Sequence, residues 1–358
     1  MLPSIFFYNV VLIVSLASLY IYSNSNSNSN SNSKQSRILF VFSFLPIFIV
    51  SAIRVGIGTD FGSYEEIFNA IKTDNFYTIE PSFYLLNKII STVGLDFKFL
   101  IIATSFLFCY PILKCADRNV SIWVVFYIML HLYLVSFNAI RQGISLSISC
   151  YALYRLFFYN EKWKFLILII VSSTFHYSGL IGLVLLPAKR IAMPTWLNII
   201  FLTIFYTCLP YIFSIVMNSS WFSLSKYAFY IDSDYAGVAQ LGSGFGVLVN
   251  IAPFLFIILF NKRIFGLNEN ANLIVNISMI YIIIKLLALQ MSIFYRFEYT
   301  AYYMAAIVFG EIARLYKRSH LNYILFLYIA VWSVLQFEIQ LLNGANEVVP
   351  YSNYFGIM

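Results

Sequence analysis

A chain of 358 residues that is 61% hydrophobic and 10% charged lies far outside the soluble range, where roughly 45–50% of residues are apolar and about 25% charged. Its net charge of +7 does not call for nucleic acid, because the basic residues sit at the ends of apolar runs, where the positive-inside bias accounts for them. The runs repeatedly reach the roughly 20 residues a helix needs to cross hydrocarbon, and the short alternating segments of an outer-membrane barrel are absent. The composition therefore predicts an all-α, polytopic transmembrane bundle of about ten to twelve spans, forming one integral membrane domain over 1–358.

In chain order, spans fall near 3–22, 37–53, 97–115, 120–137, 139–159, 192–217, 243–261, 272–292, 299–316 and 321–342. The first run, Leu2 to Tyr22, has no basic leader and no AxA-like cleavage site, and reads as a retained span. The Ser-Asn tract within 23–36 buries nothing and predicts a flexible, solvated linker. Cys109, Cys115, Cys150 and Cys208 are scattered through apolar runs and read as small buried hydrophobes. Two polar stretches, 54–97 and 218–242, stand out as large outer loops. In the second, Asp232 and Asp234 among several tyrosines suit acceptor contacts or an interfacial aromatic belt.

Fourteen basic residues, from Lys34 and Arg37 through Lys162, Lys164, Lys189 and Arg190 to Lys317 and Arg318, fall in one set of loops. Seven fall in the other: Arg54, Lys72, Lys88, Lys98, Arg141, Lys226 and Arg296. The richer set goes to the cytoplasm, which puts both termini outside. Lys162/Lys164 and Lys189/Arg190 must then share a side, so 164–188 goes in and returns, with its break at Phe175-His176-Tyr177-Ser178-Gly179. Irregular backbone at that depth needs protein or a water-filled cavity around it, which makes His176 a candidate site residue. A single tilted span with one misplaced basic pair is the alternative.

The outer segment 54–97 opens with Arg54, Gly56, Gly58 and Asp60, and continues through Tyr64 to Glu80-Pro81. Two glycines beside an arginine let backbone amides approach an anion closely, although the spacing is not that of a dinucleotide fingerprint. A short interfacial helix follows through Leu85-Leu86-Asn87. Asn138 reads as an N-cap, which puts Arg141 in the first turn of the next span, beside Gln142. A cation there opposes the helix dipole. An anion gripped by both the guanidinium and the helix N-terminus explains its presence, with snorkelling to the interface as the alternative. Arg296 and Glu298 lie at the outer end of span 299–316, and Tyr351 follows Pro350 in the tail. Lys285 sits about two turns inside its helix, placed for function or for snorkelling. Arginines suit a bidentate hold on phosphate, and a histidine with carboxylates suits proton transfer. No HExxH or His/Cys cluster calls for a metal, and no GxSxG elbow for a serine nucleophile.

The ordered series Arg54-x-Gly56-x-Gly58-Thr59-Asp60 with Tyr64, Glu80-Pro81, Asn138-x-x-Arg141-Gln142, Phe175-His176-x-Ser178, Arg296 and Pro350-Tyr351 resembles the EpsG-like branch of the Wzy polysaccharide polymerases, from about residue 37 to the end. The resemblance implies a GT-C-like glycosyltransferase of the bacterial inner membrane that works on the periplasmic face, with no cofactor and no nucleotide sugar. Its substrate would be an undecaprenyl-diphosphate-linked oligosaccharide in the lipid bilayer. Its partners would be a chain-length regulator and a flippase, with no nucleic acid. On that reading Arg54, Arg141 and Arg296 hold the diphosphate, and His176 leads Asp60 and Glu298 as proton acceptor. Gly56, Gly58, Tyr64, Glu80, Asn138, Gln142, Lys285 and Tyr351 complete the contacts. An O-antigen ligase shares the donor and differs only in acceptor. A flippase or other transporter should carry internal repeats and charge along both halves of its path, and neither is seen. A membrane O-acyltransferase remains open on composition, whereas a purely structural scaffold explains none of the arginine placements.

Overall fold

In lipid, a backbone can satisfy its polar groups only within helices or closed barrels, and these apolar runs fold as helices. The computed structural model describes residues 1–27, 33–75, 78–117, 121–223, 245–266, 268–289 and 295–356. Among the described residues the only β-pairing is an isolated bridge between Arg54 and Asn353. The helices are α1 (Leu2–Ser27), α2 (Ser33–Ala52), α3 (Phe61–Lys72), α4 (Pro81–Thr92), α5 (Phe97–Leu113), α6 (Ile122–Leu132), α7 (Val135–Asn138), α8 (Ile140–Tyr159) and α9 (Lys162–Phe175). A 3-10 turn (Tyr177–Val184) leads into α10 (Leu185–Ala188), followed by α11 (Thr195–Met217), α12 (Ser220–Ser223), α13 (Phe245–Phe265), α14 (Ala271–Ala288), α15 (Tyr295–Leu315) and α16 (His320–Leu342).

Seven of these among the described residues are long and apolar enough to cross a membrane: α1, α2, α5, α11, α13, α14 and α16. Three further runs, α6–α7, α8 and α15, pack beside them. α8 and α15 have the length, at 20 and 21 residues. They are less apolar because they occupy the bundle interior, and α15 is buried along almost its whole length. The chain is thus a polytopic helical membrane protein, with the runs where the sequence places them. One run departs from the expected single span. The stretch near 120–137 breaks after Leu132, and the turn is fixed by Tyr133, whose hydroxyl donates to the Ile47 carbonyl at 2.8 Å.

The basic residues sort to opposite ends. Lys162, Lys189 and Lys262 mark one end. Arg141 and Arg296 stand at the other, on the first turns of α8 and α15. Both terminal segments meet at this second end, where the Tyr351 backbone N–H donates to Ser4 Oγ at 3.0 Å.

The hairpin expected at 164–188 is present. α9 ends at Phe175, His176 adopts an extended conformation, and the chain folds back against α9. Ser172 faces Gly179 and Ile169 faces Gly182. A Cβ at Gly179 would lie 2.4 Å from Ser172 Oγ, so only glycine allows this close approach. The return limb ends beside its start, with Lys189 Nζ 3.2 Å from Asn160 Oδ1. A polar cluster secures the turn: Ser172 Oγ lies 2.8 Å from Ser145 Oγ and 2.7 Å from Ser149 Oγ, and Ser145 donates to the His176 carbonyl at 3.2 Å.

The Ser-Asn tract corrects one expectation. Ser23–Ser27 continue α1 and Ser33 opens α2, so the linker is shorter than 23–36. Serine hydroxyls make this continuation possible by bonding back to the preceding turn, as Ser23 does to the Tyr20 carbonyl at 3.0 Å. Most of 218–242, with Asp232 and Asp234, lies outside the described residues, as do Arg118 and Lys226.

A candidate active site at one end of the bundle

Glycine sets the loop that builds the site. Gly56 and Gly58 have φ of +63° and +102°, and a Cβ at Gly58 would meet the Phe137 carbonyl oxygen at 2.6 Å. The loop therefore lies flat on the α7–α8 junction. Asn138 holds it there: its Oδ1 accepts from Thr59 Oγ1 at 2.6 Å and from the Asp60 N–H at 2.8 Å. Asn138 is thus not the helix N-cap, a position taken by Ala139. Its side-chain amide donates instead to Asn346 Oδ1 in the C-terminal tail, at 3.2 Å.

Arg141 occupies the first turn of α8, as the sequence predicts, and pairs with Glu80, the residue that precedes Pro81 at the start of α4. Its guanidinium carbon lies 6.0 Å from the centre of the Tyr64 ring. Burial pushes the Tyr64 phenol up, against the opposing pull of Arg141, so the hydroxyl keeps its proton. Asp60 and Arg296 meet at 3.6 Å, with side chains 33% and 52% exposed. Gln142 Nε2 donates to the Arg296 carbonyl at 2.9 Å. That bond joins the starts of α8 and α15, two parallel helices whose N-termini carry partial positive charge.

His176 reaches this neighbourhood through its backbone. Thr174 lies 2.7 Å from Ser82 on α4, and the His176 carbonyl accepts from Ser145, one turn beyond Arg141. The ring Nδ1 accepts the Ser178 N–H at 3.2 Å, with Ser178 Oγ at 2.7 Å. Nδ1 is thereby the accepting side of the ring toward Ser178.

Four expected site residues, one of them the proton-acceptor candidate Glu298, are placed differently. Arg54 is 1% exposed. Its guanidinium donates to the Ser51 carbonyl and to Ser105 Oγ, and sits 4.7 Å from the Phe137 ring centre. The tail seals it, since the Val55 N–H donates to the Ser352 carbonyl and the Tyr354 N–H to the Ile53 carbonyl. Tyr351 belongs to that seal, buried with its hydroxyl on the Val50 carbonyl at 2.9 Å. Glu298 and Lys285 are 5% and 4% exposed and pair with each other at 2.6 Å. Lys285 also donates to the Tyr302 hydroxyl at 3.2 Å. The Tyr302 ring stacks on His131, which reaches Ser333 Oγ at 3.1 Å. Arg54, Tyr351, Glu298 and Lys285 are thus buried against protein partners, and Gln142, also buried, is bonded to the Arg296 carbonyl.

Sequence reasoning missed the supporting serines. Ser145 and Ser149 follow Arg141 at helical spacing within an apolar run, a polar stripe that marks an interior helix face. Among the described residues, no group of three or more His, Cys, Asp and Glu is placed to hold a metal ion.

Fold and site together define a polytopic helical membrane protein with polar and charged groups converging at one end of its bundle. Within that class the chain belongs to the EpsG family, whose model matches residues 37–353. It is accordingly a polysaccharide-polymerase-like membrane protein. No curated protein and no solved structure matches the chain.

Proposed function

We propose that this protein polymerises lipid-linked oligosaccharide repeat units on the periplasmic face of the bacterial inner membrane. One observation carries the reading: Arg141 and Arg296 stand on the first turns of two parallel helices tied together by Gln142. Two guanidinium groups over two helix N-termini suit a diphosphate, whose negative charge grows as it leaves. The acceptor sugar hydroxyl attacks the anomeric carbon of the donor glycan. The bond from that carbon to undecaprenyl diphosphate breaks, and the hydroxyl proton passes to a base.

Asp60 suits the base role better than His176 does. Its carboxylate is partly exposed and loosely held at 3.6 Å by Arg296, whereas the imidazole has Nδ1 engaged by Ser178. His176 then serves as a neutral donor through Nε2–H, and Tyr64 and Glu80 keep Arg141 in place. Glutamine reproduces an Nε2-type donor but accepts no proton. His176→Gln is therefore expected to keep most of the polymerisation rate, with His176→Ala down about tenfold and Asp60→Asn about a hundredfold. Radiolabelled glycan elongation in membranes reads all three, and equal losses in the two histidine variants would return the base role to His176.

Deleting the gene in its native strain tests the function itself. A surface-glycan ladder that collapses to a core bearing one repeat unit, restored by the wild-type gene, supports polymerisation. Loss of every glycan-bearing band would point to a ligase or flippase, and an unchanged ladder would remove the glycan reading.

A further inference from the structure

At the end of the bundle opposite the candidate active site lie two adjacent cavities, each of about 900 Å³, that share Ile191 as a wall residue. Lys162, Lys189 and Arg190 line the first and Lys262 the second. Glu269 is the one acid among the lining residues of either. The turn that carries Lys189 and Arg190 is fixed in place, because Asn276 Nδ2 on α14 donates to the Ala188 and Ile191 carbonyls at 2.7 and 2.8 Å.

The remaining walls are mostly apolar. Leu166 and Leu186 line the first cavity, and Ile200 and Leu259 the second, with Ile200 and Leu259 46% and 51% exposed. Trp163 lines the first cavity and Trp196 the second, and both are well exposed at 79% and 63%, as indoles are at the level of lipid headgroups. Only 11% of the apolar stretch of α11, which leads away from the second cavity, is buried within the protein, which leaves a flank suited to acyl chains. A small soluble anion needs the cations but not these walls. A neutral lipid needs the walls but not the cations.

We propose that these cavities form a binding site for an anionic phospholipid, with the phosphate headgroup among Lys162, Lys189, Arg190 and Lys262 and the acyl chains along α9 and α11. Basic pockets between transmembrane helices favour anionic headgroups. The bound lipid would also brace the base of the hairpin whose tip is His176. This site is independent of what the opposite end binds.

Tryptophan quenching in nanodiscs tests it, using the full chain with Trp163 and Trp196 as its only tryptophans. The discs contain phosphatidylcholine doped with either brominated phosphatidylglycerol or brominated phosphatidylcholine. At equal mole fraction, the brominated phosphatidylglycerol is expected to bind on the order of tenfold more tightly and to quench correspondingly more. Arg190→Gln with Lys262→Gln should bring the two lipids level, and Lys317→Gln with Arg318→Gln, outside the cavities, should leave the excess intact. Equal quenching by both lipids in the parent protein overturns the site, and so does an excess lost equally in both double variants, which is diffuse surface charge. Native mass spectrometry of the wild-type chain gives the same decision without tryptophan replacements. Phosphatidylglycerol retained in preference to phosphatidylcholine, and lost with Arg190→Gln and Lys262→Gln, supports the site. No preference refutes it.

Discussion

Replacing Arg141 with alanine is expected to lower polymerisation by roughly a thousandfold, the scale seen when a preorganised charge-stabilising group is removed from a water-poor site. The guanidinium stands on the first turn of α8, against the sign of the helix dipole, and is held there by Glu80. Such a cation stabilises charge that grows on a leaving diphosphate more than charge already present in the bound donor, so the loss should fall on kcat. Removing Arg141 also strands the buried Glu80 carboxylate, and Arg141→Lys separates the two effects. Lysine keeps Glu80 paired but lacks the planar fork that matches phosphate, so this variant should accumulate normally and turn over at an intermediate rate. A wild-type rate in Arg141→Ala would remove the residue from the reaction.

Lys285→Ala is expected to destabilise the fold by about 3–5 kcal/mol, the usual cost of leaving one member of a buried ion pair uncompensated. Glu298 would remain as a carboxylate with 5% exposure beside tyrosines. The effect is read as a lower unfolding temperature in detergent and lower membrane levels. A Lys285→Met, Glu298→Leu double variant should recover much of that stability, because removing both charges removes the desolvation penalty with them. Its glycan elongation should stay impaired through a raised KM for donor. Glu298 lies two residues beyond Arg296 on α15, so the pair helps fix where that guanidinium stands. Wild-type stability in Lys285→Ala would contradict the buried pairing.

The two ion pairs show where sequence reasoning reaches and where it stops. The in-and-return path of 164–188 was legible because charge bookkeeping is one-dimensional: Lys162/Lys164 and Lys189/Arg190 cannot share a side unless the chain turns back at His176. Arg141 in a first turn was legible for a similar local reason. Arg54 was not. It reads as a loop cation next to two glycines, and only the return of residues 351–354 from the far end of the chain seals it. Glu298 reads as an interfacial carboxylate until α14 packs beside α15 and brings Lys285 to 2.6 Å. Asn138 failed as an N-cap because a tertiary partner, the 58–60 loop, claimed its oxygen. Local spacing finds polar residues that face inward, but which of them face a neighbour and which face a substrate is decided by packing between distant segments.

The most direct test of the central claim uses the purified protein in proteoliposomes with one synthetic undecaprenyl-diphosphate-linked repeat unit as both donor and acceptor. The products are resolved by gel and the released lipid diphosphate is measured. The account predicts a ladder of lengthening glycans, with one undecaprenyl diphosphate released for each unit added, and no ladder from Arg141→Ala protein of equal abundance. Movement of the intact lipid-linked unit across the bilayer without any change in its length would contradict it.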